Sequence, residues 1–179
     1  TGAISFNLCF RYNCPDSCAG VNKPATFAGT LTDNFSTTKN ASCNSNGILN
    51  NNVSMSHIFW AFNQLTAEIT YRVCFSNPDC FKIKNPSFTI NLSPALGTIT
   101  SVTGGAYTYT LSGTTITPNV SEFNQWAGDC FYYVVKLPCN TGLGQTLTSN
   151  VTFKGTNCNV PNSTIKGPLA ASFTIPAAP

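Results

Sequence analysis

Charge is what this 179-residue chain has least of: charged residues make up 8% of it, against about 25% in ordinary soluble domains. It has six acidic side chains and one histidine. No apolar run approaches the roughly 20 residues that a spanning helix needs, so no helical membrane span is expected. The densest basic cluster is Lys82 and Lys84, and a net charge of +3 with a pI near 8.4 falls short of a phosphate-tracking stripe, where the pI usually exceeds about 9. Nucleic acid is therefore not an expected partner. Clustered carboxylates for a calcium cage are missing too.

Thr (24), Asn (21) and Ser (16) fill the place of charge, so the polar surface is hydroxyl and amide. A hydrophobic content of 42% with 12% aromatics is too high for a disordered chain. A surface so poor in charge does not suit free diffusion in the cytosol, and an extracellular or cell-surface location is expected. The chain opens at Thr1 with neither Met nor a signal-like segment, the expectation for a processed mature form.

Nine cysteines stand at 9, 14, 18, 43, 74, 80, 130, 139 and 158. No Cys-x-x-Cys pair occurs and His57 is the sole imidazole, so a zinc site fails and no metal or cofactor is expected. Disulfides in an oxidising compartment fit better. The odd number leaves at least one thiol free or crossing to another chain.

Period-two alternation recurs and helical periodicity does not. Ala67, Ile69, Tyr71, Val73 and Phe75 form an apolar face against Glu68, Thr70, Arg72, Cys74 and Ser76; Phe131, Tyr133, Val135 and Leu137 form another, with Cys130 and Lys136 behind. Weaker strands run near 88–92, 97–102, 107–111, 114–117, 146–154 and 169–175. Asn77-Pro78-Asp79, Asn85-Pro86, Ser93-Pro94, Gly104-Gly105, Ser112-Gly113 and Thr141-Gly142 supply turns between them. Residues 54–62 read equally as a strand or a helical turn. Short strands at this spacing predict an all-β, Ig-like antiparallel β-sandwich. Cys74 and Cys130 share faces with polar residues, unlike a core-spanning bridge. A local clip from Cys74 to Cys80, or a bridge from the strand exteriors to the Cys-rich N-terminal part, are the two readings.

Residues 66–77 (TAEITYRVCFSN) resemble the opening strand of the Ig-like conserved-repeat domain of microbial surface proteins, the domain-of-unknown-function-eleven class. PSFTINLSPALGTITSV, AGDCFYYVVKLP and GQTLTSNVTFKG follow in the family's order. The resemblance spans about Gln64 to Ile175. It departs from the pattern at Asn91, where the family usually has Asp, and in its cysteine content. It implies an extracellular sandwich used as a spacer or building block, with no catalytic residues to carry over.

The expected division is 1–62, a Cys- and Asn-rich extension with a terminal strand, and 63–179, the sandwich. The terminal strand alternates Ile4, Phe6, Leu8, Phe10 and Tyr12 against Ser5, Asn7, Cys9, Arg11 and Asn13. It is either an edge strand of its own sandwich or a strand donated to a neighbouring copy. Burying four or five such side chains contributes roughly 6–12 kcal/mol gross, against association costs of about 4–15 kcal/mol. Ladder bonds or a disulfide through Cys9 would decide the balance.

Seven glycosylation sequons occur, at Asn34, Asn40, Asn52, Asn91, Asn119, Asn150 and Asn162. N-linked glycans would solubilise a chain this poor in charge. Asn34, Asn40, Asn52 and Asn162, read as loop positions, are the expected acceptors ahead of Asn150. No catalytic residue is expected: a nucleophilic apparatus would have to use His57, read as a core or edge residue. Of the six acids (Asp16, Asp33, Asp79, Asp129, Glu68, Glu122), none pair by spacing; Asp79 and Asp129 read as turn residues. A Lys–Asn crosslink from Lys82 or Lys84 to Asn150, assisted by Glu68, is a remote option. The expected function is the repeating subunit of an extracellular fibre, a homopolymer joined through the N-terminal strand. The alternative is a monomeric adhesin or carbohydrate-binding module using Trp60, Tyr107, Tyr109 or Trp126.

Overall fold

The computed structural model describes residues 22–32, 38–48, 53–78, 82–124, 126–138, 142–157 and 160–177, the first two stretches through their backbone pairing. These residues form strands and turns, with no helix among them. β1 (Asn22–Thr32) and β2 (Thr38–Ile48) make an antiparallel two-stranded sheet in which Asn22 lies opposite Ile48. The Ile4–Tyr12 strand and Cys9, Cys14, Cys18, Cys80, Cys139 and Cys158 lie outside the described residues.

The sandwich begins at Val53. One sheet joins β3 (Ser54–Asn63), β4 (Glu68–Ser76), β10 (Gly128–Lys136) and β6 (Thr98–Gly104), in that order. The other runs from β12 (Val160–Thr174) through β11 (Thr146–Asn157), β5 (Ile83–Ser93) and β8 (Thr115–Pro118) to β7 (Tyr109–Ser112), with β9 (Glu122–Phe123) also on β5. Every pairing is antiparallel. This is the expected all-β, Ig-like antiparallel sandwich.

The alternating sequences of β4 and β10 explain why they form its centre. Ile69, Tyr71, Val73 and Phe75 point inward, as do Phe131, Tyr133, Val135 and Leu137, and all eight are buried. They meet the inner side chains of the facing sheet: Phe88 lies 4.8 Å from Phe131, and Phe75 lies 5.8 Å from Phe153, centroid to centroid. Full burial of each such ring contributes roughly 1.5–3 kcal/mol, in the tilted and stacked geometries that rings prefer.

The expected boundary at residue 63 falls too late. Residues 54–63 are a strand of the sandwich, paired with β4 along its length, and Val53 is 1% exposed in the core. The helix-or-strand ambiguity has a physical origin. Phe59 and Phe62 are spaced as on a helix, yet both face inward because the pairing slips between Phe59 and Ala61. A β-bulge there puts one extra residue, Trp60, into β3. Phe59 and Phe62 then pack on Phe173 of β12, with centroids 4.5 and 4.9 Å away.

Candidate functional site

The sole imidazole lies in the core. His57, inward-facing on β3, is 7% exposed, and its ring bridges the two sheets. Nδ1 lies 2.9 Å from the Leu169 carbonyl of β12, and Nε2 lies 2.7 Å from the Tyr133 hydroxyl of β10. Tyr133 is in turn 2.6 Å from Ser149 Oγ of β11. A carbonyl only accepts, so Nδ1 carries the proton and Nε2 of the neutral ring accepts from Tyr133; the Tyr133 oxygen then accepts from Ser149. Burial lowers the His57 pKa, opposed in part by the Leu169 bond. Tyr133 and Ser149 are 0% exposed, so this His–Tyr–Ser chain offers no path to a substrate. It joins the sheets by polar bonds inside an apolar core. Next to it Tyr71, whose hydroxyl burial pushes its pKa up to about 12, has no hydrogen-bond partner for that hydroxyl among the described residues.

The solvent face of the four-stranded sheet is the second assembly. Arg72 of β4 lies opposite Ile58 of β3 and Tyr132 of β10, so the three share one face. The bulge aims Trp60 onto this face, where its ring lies 5.3 Å from the guanidinium carbon and 5.4 Å from the Tyr132 ring. Tyr132 is 5.9 Å from the same guanidinium. Cys74 and Cys130, directly opposite on β4 and β10, form a disulfide with Cα atoms 4.0 Å apart, and Arg72 Nη2 donates to Cys130 Sγ at 3.3 Å. Both readings of Cys74 are thereby corrected: it joins neither Cys80 nor the N-terminal part. The two residues sit in register on the solvent face, which a sequence without strand order does not show. Cys43 lies on β2 opposite Phe27.

The carboxylates divide differently from the sequence reading. Asp129 lies in β10, not in a turn. It accepts from the backbone N–H groups of Ala106 (2.8 Å), Tyr107 (3.0 Å) and Cys130 (2.8 Å) and from the Tyr109 hydroxyl (2.8 Å). Burial acts to raise its pKa, but these donors outweigh it and hold the carboxyl below its usual range. A Cβ on Gly104 would strike the Tyr109 ring, and one on Gly105 would lie 2.7 Å from Asp129 Oδ1. The paired glycines thus let the loop close over this acid. Glu68 is 3.4 Å from Lys136, and Glu122 is 3.1 Å from Lys82.

The Lys–Asn crosslink does not assemble. Lys84 lies opposite Thr156 and Glu122, whereas Asn150 lies opposite Asn91, six residues back along β11 and so roughly 20 Å away. Glu68 belongs to the other sheet. Among the sequons, Asn91 and Asn119 are exposed, Asn150 is half-buried, and Asn40 and Asn162 lie in β2 and β12 rather than in loops. Asn119 is tied to Thr108 and Thr110 by its side chain. Asn34 and Asn52 lie outside the described residues. Of the four aromatics, Tyr107 and Tyr109 pack on Phe123 and Phe131, while Trp60 and Trp126 are 52% and 68% exposed.

The sheet edges complete the candidate surfaces. β6 pairs with β10 on one side only and carries neither charge nor proline along Thr98–Gly104; a bulge inserts Thr100 between Ile99 and Ser101, opposite Val134 and Val135. Beneath it Ile99, Val102, Tyr109 and Leu111 are half-buried at the rim of the core.

No protein-family model matches the chain, and no curated protein matches it. Solved structures that share its shape include a protein that catalyses macrocyclization in alchivemycin A biosynthesis (8% identity, TM-score 0.45, covering 73% of this chain and 92% of that one). A type I cohesin, the seventh of ScaB from Pseudobacteroides cellulosolvens, is 16% identical with a TM-score of 0.44, over 70% of this chain and 94% of that one. The collagen-binding domain of the Erysipelothrix rhusiopathiae surface protein RspB is 8% identical with a TM-score of 0.38, over 82% and 56%. At these scores the likeness assigns neither family nor activity.

Proposed function

We propose that this chain is a non-catalytic structural subunit of an extracellular fibre, assembled as a homopolymer by adding the Ile4–Tyr12 strand of one copy to the β6 edge of the next. The β6 edge carries the reading. Exposed edges are normally blunted by charge, proline, brevity or bulges. β12 carries Pro161, Lys166 and Pro168, and β7 is four residues long. β3 and β6 carry neither charge nor proline and each holds one bulged residue, Trp60 and Thr100; of the two, β6 is the edge whose inward Ile99 and Val102 stay half-buried beside Leu111. A strand laid there would extend the four-stranded sheet, and its inward apolar side chains would cover Ile99, Val102 and Leu111. The alternation of Ile4, Phe6, Leu8, Phe10 and Tyr12 matches that demand.

The Cys74–Cys130 disulfide supports an oxidising, extracellular setting. His57 and the carboxylates of Asp129, Glu68 and Glu122 are engaged structurally, which favours a role without catalysis. A building-block role is also what the resemblance to the surface-protein repeat family implies.

Sedimentation of the full chain beside a variant lacking residues 1–13 tests the reading. The full chain is expected in large particles and the truncated one as monomers. A synthetic peptide of residues 1–13, with Cys9→Ser, should then bind the truncated protein and protect the amides of Thr98–Gly104 from exchange. A monomeric full chain, or unchanged assembly after truncation, refutes it.

A further inference from the structure

Among the described residues the Arg72 guanidinium has no anionic partner. Its Nε is buried with no hydrogen-bond partner, and its Nη2 has only a disulfide sulfur at 3.3 Å, a weak acceptor. Two aromatic faces hold it in place at 5.3 and 5.9 Å. The carboxylates of the described residues are engaged elsewhere: Glu68 with Lys136, Glu122 with Lys82, and Asp129 with four donors. Among the described residues no carboxylate is left to pair with Arg72, which leaves its guanidinium open to an anion brought by another molecule.

The surroundings narrow its chemistry. Trp60 is 52% exposed, and Ile58 beside it is 44% exposed, so a flat apolar surface adjoins the cation. Ser56 and Thr70 place hydroxyls on the same face. An aromatic plane, neighbouring hydroxyls and an unneutralised guanidinium fit a sugar ring that carries a carboxylate. We propose that the Trp60–Arg72–Tyr132 face binds uronate-containing polysaccharide, a pyranose stacking on Trp60 while its carboxylate takes hydrogen bonds from Arg72. Trp60 and Arg72 lie on β3 and β4, and Tyr132 on β10 beside Thr103 of β6; the site uses the outer face of the sheet and not the free edge of β6, so it stands whether or not the chain polymerises.

The chain has two tryptophans, so full-length Trp126→Phe leaves Trp60 as the only indole reporter. Titration with an oligogalacturonate should quench and shift its fluorescence. A neutral maltooligosaccharide of equal length should bind at least about tenfold more weakly, and affinity for the uronate should fall as salt is raised. Arg72→Gln should lose about tenfold for the uronate and leave the neutral sugar unchanged. Arg72→Lys, which keeps the charge without the planar fork, should fall between them. Calorimetry with Trp60→Ala, whose circular dichroism reports the fold, should show no binding. Equal binding of the neutral sugar, equal binding of a poly-glutamate peptide, or no response to the uronate would each overturn the proposal.

Discussion

The chain Leu169–His57–Tyr133–Ser149 sets a sharp expectation for pH and for one hydroxyl. In the folded protein His57 is neutral, with a pKa depressed by burial. In the unfolded chain it titrates near its ordinary value of 6.5. The unfolded state therefore takes up the proton first as pH falls. Stability is at full strength above about 6.5 and declines below it, by up to about 1.4 kcal/mol per pH unit, until the folded pKa is reached. One histidine in the sequence makes this slope assignable. Tyr133→Phe removes the donor to Nε2 and the acceptor for Ser149 at a site with 0% exposure. Two lost bonds and the groups left unpaired cost about 2–4 kcal/mol, or roughly 5–15 °C in Tm for a chain of this size. Thermal and urea unfolding followed by circular dichroism between pH 8 and 5, on the wild type, Tyr133→Phe and His57→Phe, measures both effects. A wild-type midpoint that is flat with pH, together with a Tyr133→Phe midpoint equal to wild type, refutes the reasoning. In His57→Phe the slope should vanish.

Four further outcomes follow from named contacts. Tyr71→Phe removes a buried hydroxyl that has no partner among the described residues and should hold stability or raise it by about 1 kcal/mol, read from the urea midpoint; a loss of more than that would mean the hydroxyl is satisfied. Asp129→Asn should cost about 1.5–3 kcal/mol, because four donors lose a carboxylate acceptor. Since folding lowers the Asp129 pKa from 3.8, its contribution is full above that value and fades as pH falls through the folded pKa, so the variant's acid transition should be the flatter of the two. Replacing Cys74 and Cys130 together by Ser opens a loop closed across 56 residues and should cost about 4 kcal/mol by the chain-entropy relation, measured under non-reducing conditions; an unchanged midpoint would count against the pairing. Gly104→Ala should displace the Tyr109 ring, visible as altered near-ultraviolet dichroism, and an unaltered spectrum would contradict the close approach.

How much was legible follows the strength of each pattern. β4 and β10 were readable residue by residue, because strict alternation with bulky inward side chains leaves one way to bury them. Strands β6, β8 and β11 were placed within a few residues, whereas β5 and β12 begin five and nine residues before the expected 88 and 169, because Asn85-Pro86 and Gly167-Pro168 interrupt the pattern inside these strands. β3 was not decided, because a bulge changes the period midway and makes Phe59 and Phe62 mimic a helical face. Asp129 was read as a turn residue because Gly128-Asp129 has turn composition; apart from the adjacent Cys130, its partners Ala106, Tyr107 and Tyr109 lie twenty or more residues earlier in the chain. The Cys74–Cys130 pairing needs strand order, although both residues had been placed on outward faces. The Trp60–Arg72–Tyr132 cluster needs the same long-range register. The break in alternation after Phe59 was the one local hint of it.

The bulge in β3 separates two demands that a regular strand ties together. In a plain ladder, changing the length or sequence of an outward segment shifts the partners on the inside as well. Here the single inserted position is surplus to the ladder, so it can be exchanged without disturbing the phenylalanines on either side. Related chains could therefore acquire new surface chemistry at residue 60 by point substitution alone, with the hydrophobic interior as an unchanged foundation.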